Sequence, residues 1–213
     1  MKAIFLLACV AASAQALAAP VTYIIDPAHT YPSFEADHGG VSIWRGKFNK
    51  TAGSVVLDKA AGSGRVDITV DMDSVDFGLD IMNAEAKKPT LFDTAKYPVA
   101  TYRGRLDGFV DGTPTQLVGE LTLHGVTRPV ALKINSFKCI PHPMLQRELC
   151  GADVVGSFNR DEFGIAAGKE HGFRMDVTLR IQVEGIASEE SAWAPDQIFF
   201  QSDHCPHKTW TAM

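Results

Sequence analysis

Residues 173–184 read Phe173-Arg174-Met175-Asp176-Val177-Thr178-Leu179-Arg180-Ile181-Gln182-Val183-Glu184. Every odd position is apolar and every even one polar, the period-two habit of a strand packed on one face and wet on the other. Val66, Ile68, Val70 and Met72 alternate in the same way with Asp67, Thr69 and Asp71, and Val130, Leu132 and Ile134 with Ala131, Lys133 and Asn135. Turn formers separate the runs: Gly62-Ser63-Gly64, Asp111-Gly112-Thr113-Pro114 and His124-Gly125-Val126-Thr127-Arg128-Pro129, each fitting a hairpin. Helical character is confined to Asp80 through Phe92, where Asp80 is placed to cap the start and Pro89 limits the helix to one or two turns. The pattern predicts an all-β chain of about eight antiparallel strands, a sandwich or barrel, with one short helix after the third or fourth.

The chain of 213 residues opens with Lys2, an apolar run from Ala3 to Ala12, and small residues ending in Ala16-Leu17-Ala18. This is the plan of a secretory signal peptide cleaved after Ala18, and the run is too short to span a bilayer. Cys9 follows Leu6-Leu7-Ala8 in a lipoprotein-like box, but it comes too early for lipid attachment. Residues 1–18 are therefore expected to be a leader, 19–186 one barrel domain, and 187–213 a polar tail of unknown role carrying Trp193, Phe199, Phe200 and Trp210. Removing the leader takes away Lys2 and changes the formal charge from −5 to −6, which argues against nucleic-acid partners. The mature chain is expected outside the cytoplasm, without stable membrane insertion, and homodimerisation stays open. Cys139 and Cys150 flank the loop Ile140-Pro141-His142-Pro143, so the favoured disulfide closes that hairpin, at about 3 kcal/mol. Cys205 is left over.

A closed sheet of about eight strands encloses either a packed core or one small ligand, and alternation does not choose between them. The expected inward set is Phe34, Phe48, Val66, Ile68, Val70, Met72, Leu121, Leu123, Leu132, Ile134, Phe158, Met175, Val177, Leu179 and Ile181. A pocket with such a lining selects for hydrocarbon. A long chain burying about 600 Å² gains roughly 15 kcal/mol gross, much of it offset by ordering and association. No nucleophile and base with an orienting group are recognisable. His38-Gly39-Gly40 lacks any accompanying Gly-x-Ser-x-Gly elbow, and no His-x-x-x-His or Cys-x-x-Cys spacing marks a metal site. His124, ahead of Gly125, fits a turn or hydrogen-bonding role. The expectation is a binding protein with no catalytic residues and no cofactor. The alternative is a metal- or partner-binding module acting through the tail, where His204, Cys205 and His207 are weak metal candidates.

Four segments carry a family resemblance. They are Asp26-Pro27-Ala28-His29-Thr30 with Phe34, His38 to Ser42 and Arg45 to Phe48; Leu91 to Pro98; Gly119 to Pro129; and Phe158 to Ile165. In this order and spacing the chain resembles the YceI family from Tyr23 to Glu184. The resemblance implies an extended, eight-stranded lipocalin-like barrel in the periplasm, holding an isoprenoid quinone, polyprenyl or acyl lipid in its tunnel. The pairing of Cys139 with Cys150 resembles a subgroup of the family, whereas the tail after Ser188 departs from the usual family end. His38, Arg45, Arg128 and Arg160 lie at strand ends within these segments and are candidates to meet a ligand head group. The arginines could instead serve the fold by bonding turn carbonyls or pairing with Asp161 and Asp93.

Overall fold

The structure is a computed structural model that describes residues 19–192. The leader, Cys9 and the tail from residue 193, with His204, Cys205 and His207, lie outside the described residues. The strands are β1 (Val21–Ile25), β2 (Tyr31–His38), β3 (Ser42–Phe48), β4 (Thr51–Asp58), β5 (Ser63–Asp71), β6 (Val75–Asp76), β7 (Val99–Asp107), β8 (Gln116–Leu123), β9 (Val126–Pro141), β10 (Glu148–Asn159) and β11 (Asp176–Ala187). Helix α1 (Asp80–Ala86) lies between β6 and β7, and a single turn, α2 (Glu189–Ala192), follows β11.

β1 and β2 are two halves of one barrel strand, and β3 and β4 two halves of the next. β1 pairs with β4 and β2 with β3. β11 lies against both first halves: residues 177–182 pair with 31–36, and residues 185–187 with 23–25. Counted this way, eight antiparallel strands follow one another round a closed barrel, with α1 after the third. Closure removes the exposed sheet edges that an open meander would present.

The gap between β1 and β2 has a local cause. Pro27 supplies no backbone donor, and the Asp26 carboxylate turns the chain by accepting the Ala28 N–H at 2.9 Å. Thr30, 2% exposed, then replaces the missing ladder bonds. Its hydroxyl accepts the Glu184 N–H at 3.1 Å and donates to the Glu184 carbonyl at 3.3 Å. At the opposite end of the barrel, His124 and Gly125 both have positive φ, 51° and 74°, as a two-residue turn with the hairpin's twist requires. A Cβ on Gly125 would stand 2.6 Å from the Tyr97 ring, so glycine is needed there on two counts.

Several expectations are corrected. β11 starts at Asp176, so Phe173 and Met175 precede it; a loop with left-handed Gly164, Gly168 and Gly172 folds Phe173 back against His38. The same strand runs on to a buried Ala187, two residues past the point where alternation fades at Gly185. Met72 sits in a 3₁₀ turn rather than in β5, because the Asp71 carboxylate accepts the Asp73 N–H and starts the turn. Leu79, not Asp80, occupies the N-cap position of α1 and makes no side-chain capping bond, and the helix stops at Ala86, before Pro89 comes into play.

Cys139 and Cys150 stand directly opposite on β9 and β10 and are bonded, with their Cα atoms 4.0 Å apart. Replacing both by serine is expected to lower the unfolding free energy by about 3 kcal/mol in a denaturant titration; an unchanged midpoint would mean that the strand ladder alone holds this hairpin. On β7, the Tyr102 hydroxyl donates to the Val130 carbonyl at 2.9 Å, and burial pushes its pKa up to about 12. An unfolded tyrosine ionises near 10. Its contribution to stability is therefore complete below about pH 10 and is lost as pH rises through about 12. Denaturant midpoints from about pH 9 to about pH 12 should fall less steeply in Tyr102→Phe than in the parent, after a neutral-pH loss of about 1 kcal/mol for the bond.

Candidate functional site

The barrel encloses a cavity of about 450 Å³, within the size range of sites that hold a small organic ligand. Its wall is built by alternation. Pro32, Phe34 and Ala36 point in from β2, Val66, Ile68 and Val70 from β5, Val130, Leu132 and Ile134 from β9, and Val177, Leu179, Ile181 and Val183 from β11. Of the residues expected to line a tunnel, all border this space except Met175, which is buried beside Arg160, its carbonyl accepting the Arg160 N–H at 2.8 Å. Ile68, Val70, Leu121, Phe158, Leu179 and Ile181 face inward yet are only half-buried. Inside a closed barrel that combination means they border unfilled space.

The end nearest α1 is aromatic. Phe34 lies 5.6 Å from Phe48, 5.5 Å from Phe77 and 6.0 Å from Phe92. Gly46 makes room for this cluster, since a Cβ there would meet the Phe34 ring at 2.5 Å. His38 stacks flat on Trp44, centroids 3.9 Å apart, with Phe173 edge-on at 5.2 Å. Polar groups gather at the same end: Asp37, His38 and Arg160 all border the cavity. Asp37 is buried and accepts the backbone N–H groups of Gly40 and Arg174, each at 3.1 Å; these bonds hold its carboxyl below the usual range.

The candidate head-group residues divide. His38 and Arg160 reach the cavity, whereas Arg45 and Arg128 do not. Arg45 falls between inward-facing Trp44 and Gly46, so its side chain lies on the outer wall, where it meets Glu35 at 2.9 Å. Arg128 is exposed near the β8–β9 turn and donates to the Thr127 carbonyl at 3.1 Å. His124 serves the turn, its Nδ1 lying 3.0 Å from the Phe163 carbonyl oxygen. On the outer wall, His29 meets Asp26 at 2.7 Å, with Glu184 close by.

Sequence reasoning missed Asp37, Trp44, Phe77, Phe92 and Tyr102 as lining. Phe77 and Phe92 flank α1 in a segment without periodicity, and only the fold carries them over the barrel mouth. Tyr102 belongs to Ala100-Thr101-Tyr102-Arg103-Gly104, an alternation too weak in apolar content to stand out.

The chain is similar to several known proteins. The family model for the YceI-like domain matches residues 23–185. A UPF0312 protein of Shewanella denitrificans is 29% identical over 174 residues, covering 77% of this chain and 86% of its own. Protein YceI of Escherichia coli O157:H7 is 28% identical over 159 residues, covering 74% and 82%. Among solved structures, Burkholderia cenocepacia BcnA superposes with TM-score 0.59 at 20% identity, over 75% of this chain and 98% of that one. A polyisoprenoid binding domain from Saccharophagus degradans superposes with TM-score 0.56 at 19% identity, over 79% and 99%. The structural likenesses show a shared fold, and the match across residues 23–185 shows more: the chain belongs to the YceI-like domain family.

Proposed function

We propose that this protein is a binding protein and carrier that holds a long apolar ligand, an isoprenoid or acyl lipid, in the barrel cavity. The observation that carries this is the half-buried state of Ile68, Val70, Leu121, Leu179 and Ile181 inside a closed barrel. A finished core would bury such side chains completely. A dry space lined by them is costly when empty and gains roughly 25 cal/mol for each Å² of hydrocarbon laid against it. Because one methylene is worth only about 0.8 kcal/mol, the wall discriminates poorly among chain lengths, and a range of prenyl and acyl chains should bind. The polyisoprenoid binding domain of Saccharophagus degradans, which shares the fold, is consistent with this class of ligand.

The working location in this proposal is the periplasm. The leader-like residues 1–18 and a disulfide between β9 and β10 support it, since such bonds persist in oxidising compartments. Among the described residues no helix is long and apolar enough to cross a membrane.

Substituting Ile68 or Leu179 by tryptophan places bulk in empty space rather than in packed core. Binding of a short-chain ubiquinone, followed by fluorescence quenching, should weaken at least about tenfold, while the melting temperature moves by only a few degrees, as for a change worth about 1 kcal/mol or less. Unchanged quinone affinity in both variants would count against the cavity as the binding site. Expression in a bacterium with a secretion pathway should release a chain whose intact mass begins at Ala19; a chain retaining Met1 in the cytoplasm would contradict the location.

A further inference from the structure

Arg160 is chemically out of place in the wall it belongs to. It is 9% exposed and borders a largely hydrocarbon space, yet among the described residues it has no carboxylate within ion-pair distance. Nη1 donates to the Ile165 carbonyl at 3.0 Å and Nη2 to the Ala167 carbonyl at 2.7 Å. These bonds pin the loop after β10 and use two of the five N–H donors of a guanidinium. Burial pulls its pKa down, but a guanidinium keeps its charge in proteins. Neutral carbonyls offset only part of the cost of burying a cation, and an anion is needed for the rest.

Two carboxylates act on Arg160 through charge, Asp161 and Asp37, and both are also engaged elsewhere. Asp161 pairs with Lys169. Asp37 accepts the Gly40 and Arg174 N–H groups and faces the Arg174 guanidinium at 3.5 Å. Each already has its own cation, so what they lend Arg160 is a shared charge without a direct ion pair. A ligand anion would supply that pair, and the remaining N–H donors could bond it.

We propose that Arg160 anchors the head of the ligand and selects chains that end in an anionic group, a carboxylate or phosphate, over neutral quinones, alcohols or esters of equal length. This rests on the carrier function proposed above and adds the head-group chemistry to it. A side chain that only held the loop would favour no head group.

The test uses the full chain and two probes that share one hydrocarbon tail, cis-parinaric acid and its methyl ester, titrated by fluorescence near neutral pH. The acid should bind at least about tenfold tighter than the ester, the factor that one charge-assisted hydrogen bond supplies. In Arg160→Gln the acid should lose about tenfold more affinity than the ester, and Arg160→Lys, which keeps the charge, should retain most of the preference. Circular dichroism reports whether the variants fold; if the Gln variant does not, the parent's acid-to-ester ratio and the Lys variant decide. Equal affinity for acid and ester in the parent, or equal losses for both in Arg160→Gln, overturns the head-group role and leaves the carrier function standing. Failure of both probes to bind the parent overturns the carrier function and the head-group role together.

Discussion

The closure of β11 onto both halves of the first strand is the contact on which everything else depends. It needs a break between β1 and β2, and Thr30 makes the break tolerable by bonding both backbone groups of Glu184. The Glu184 carbonyl also accepts the Asp26 N–H at 2.9 Å, but without Thr30 the Glu184 N–H would face the gap unpaired, at a cost of about 1–3 kcal/mol. With it, the eight strands form a ring whose diameter is set by strand number and tilt rather than by what fills it.

The cavity follows from that geometry. Inward positions are filled by Val, Ile, Leu and Ala along most of the barrel, and their reach falls short of the axis. Among the described residues the main aromatic cluster is at the α1 end, where Phe34, Phe48, Phe77 and Phe92 close round one another. The far end is tied by the Cys139–Cys150 bond and by Tyr23, whose hydroxyl bonds Glu148 while Lys59 meets the same carboxylate at 2.8 Å. A space held open by rigid walls and tethered at both ends is preorganised for a ligand, so little ordering energy opposes binding.

Much of the fold was legible because its strands divide their faces cleanly. Val177, Leu179, Ile181 and Val183 announce an inner wall, and His124-Gly125 marks the β8–β9 turn in two letters. Other features were hidden for physical reasons. The broken first strand depends on a hydroxyl meeting a backbone 154 residues away, which no local pattern encodes. Period-two spacing states which side chains face in but not whether they touch, so core and cavity look alike in sequence. Arg45 and Arg160 lie in comparable motif segments, yet one falls on an outward position of β3 and the other begins a 3₁₀ turn at the mouth. The segment from Phe77 to Phe92 supplies cavity wall from an irregular crossing, and only the assembled barrel shows what it covers.

The most direct test of the account is native mass spectrometry of the protein purified from its native cells without detergent. The predicted spectrum shows the chain with a single bound lipid, released on activation and identifiable by its mass. A spectrum of bare chain, unchanged after incubation with a prenyl quinone and with a long-chain fatty acid, would contradict the claim that the barrel is a container.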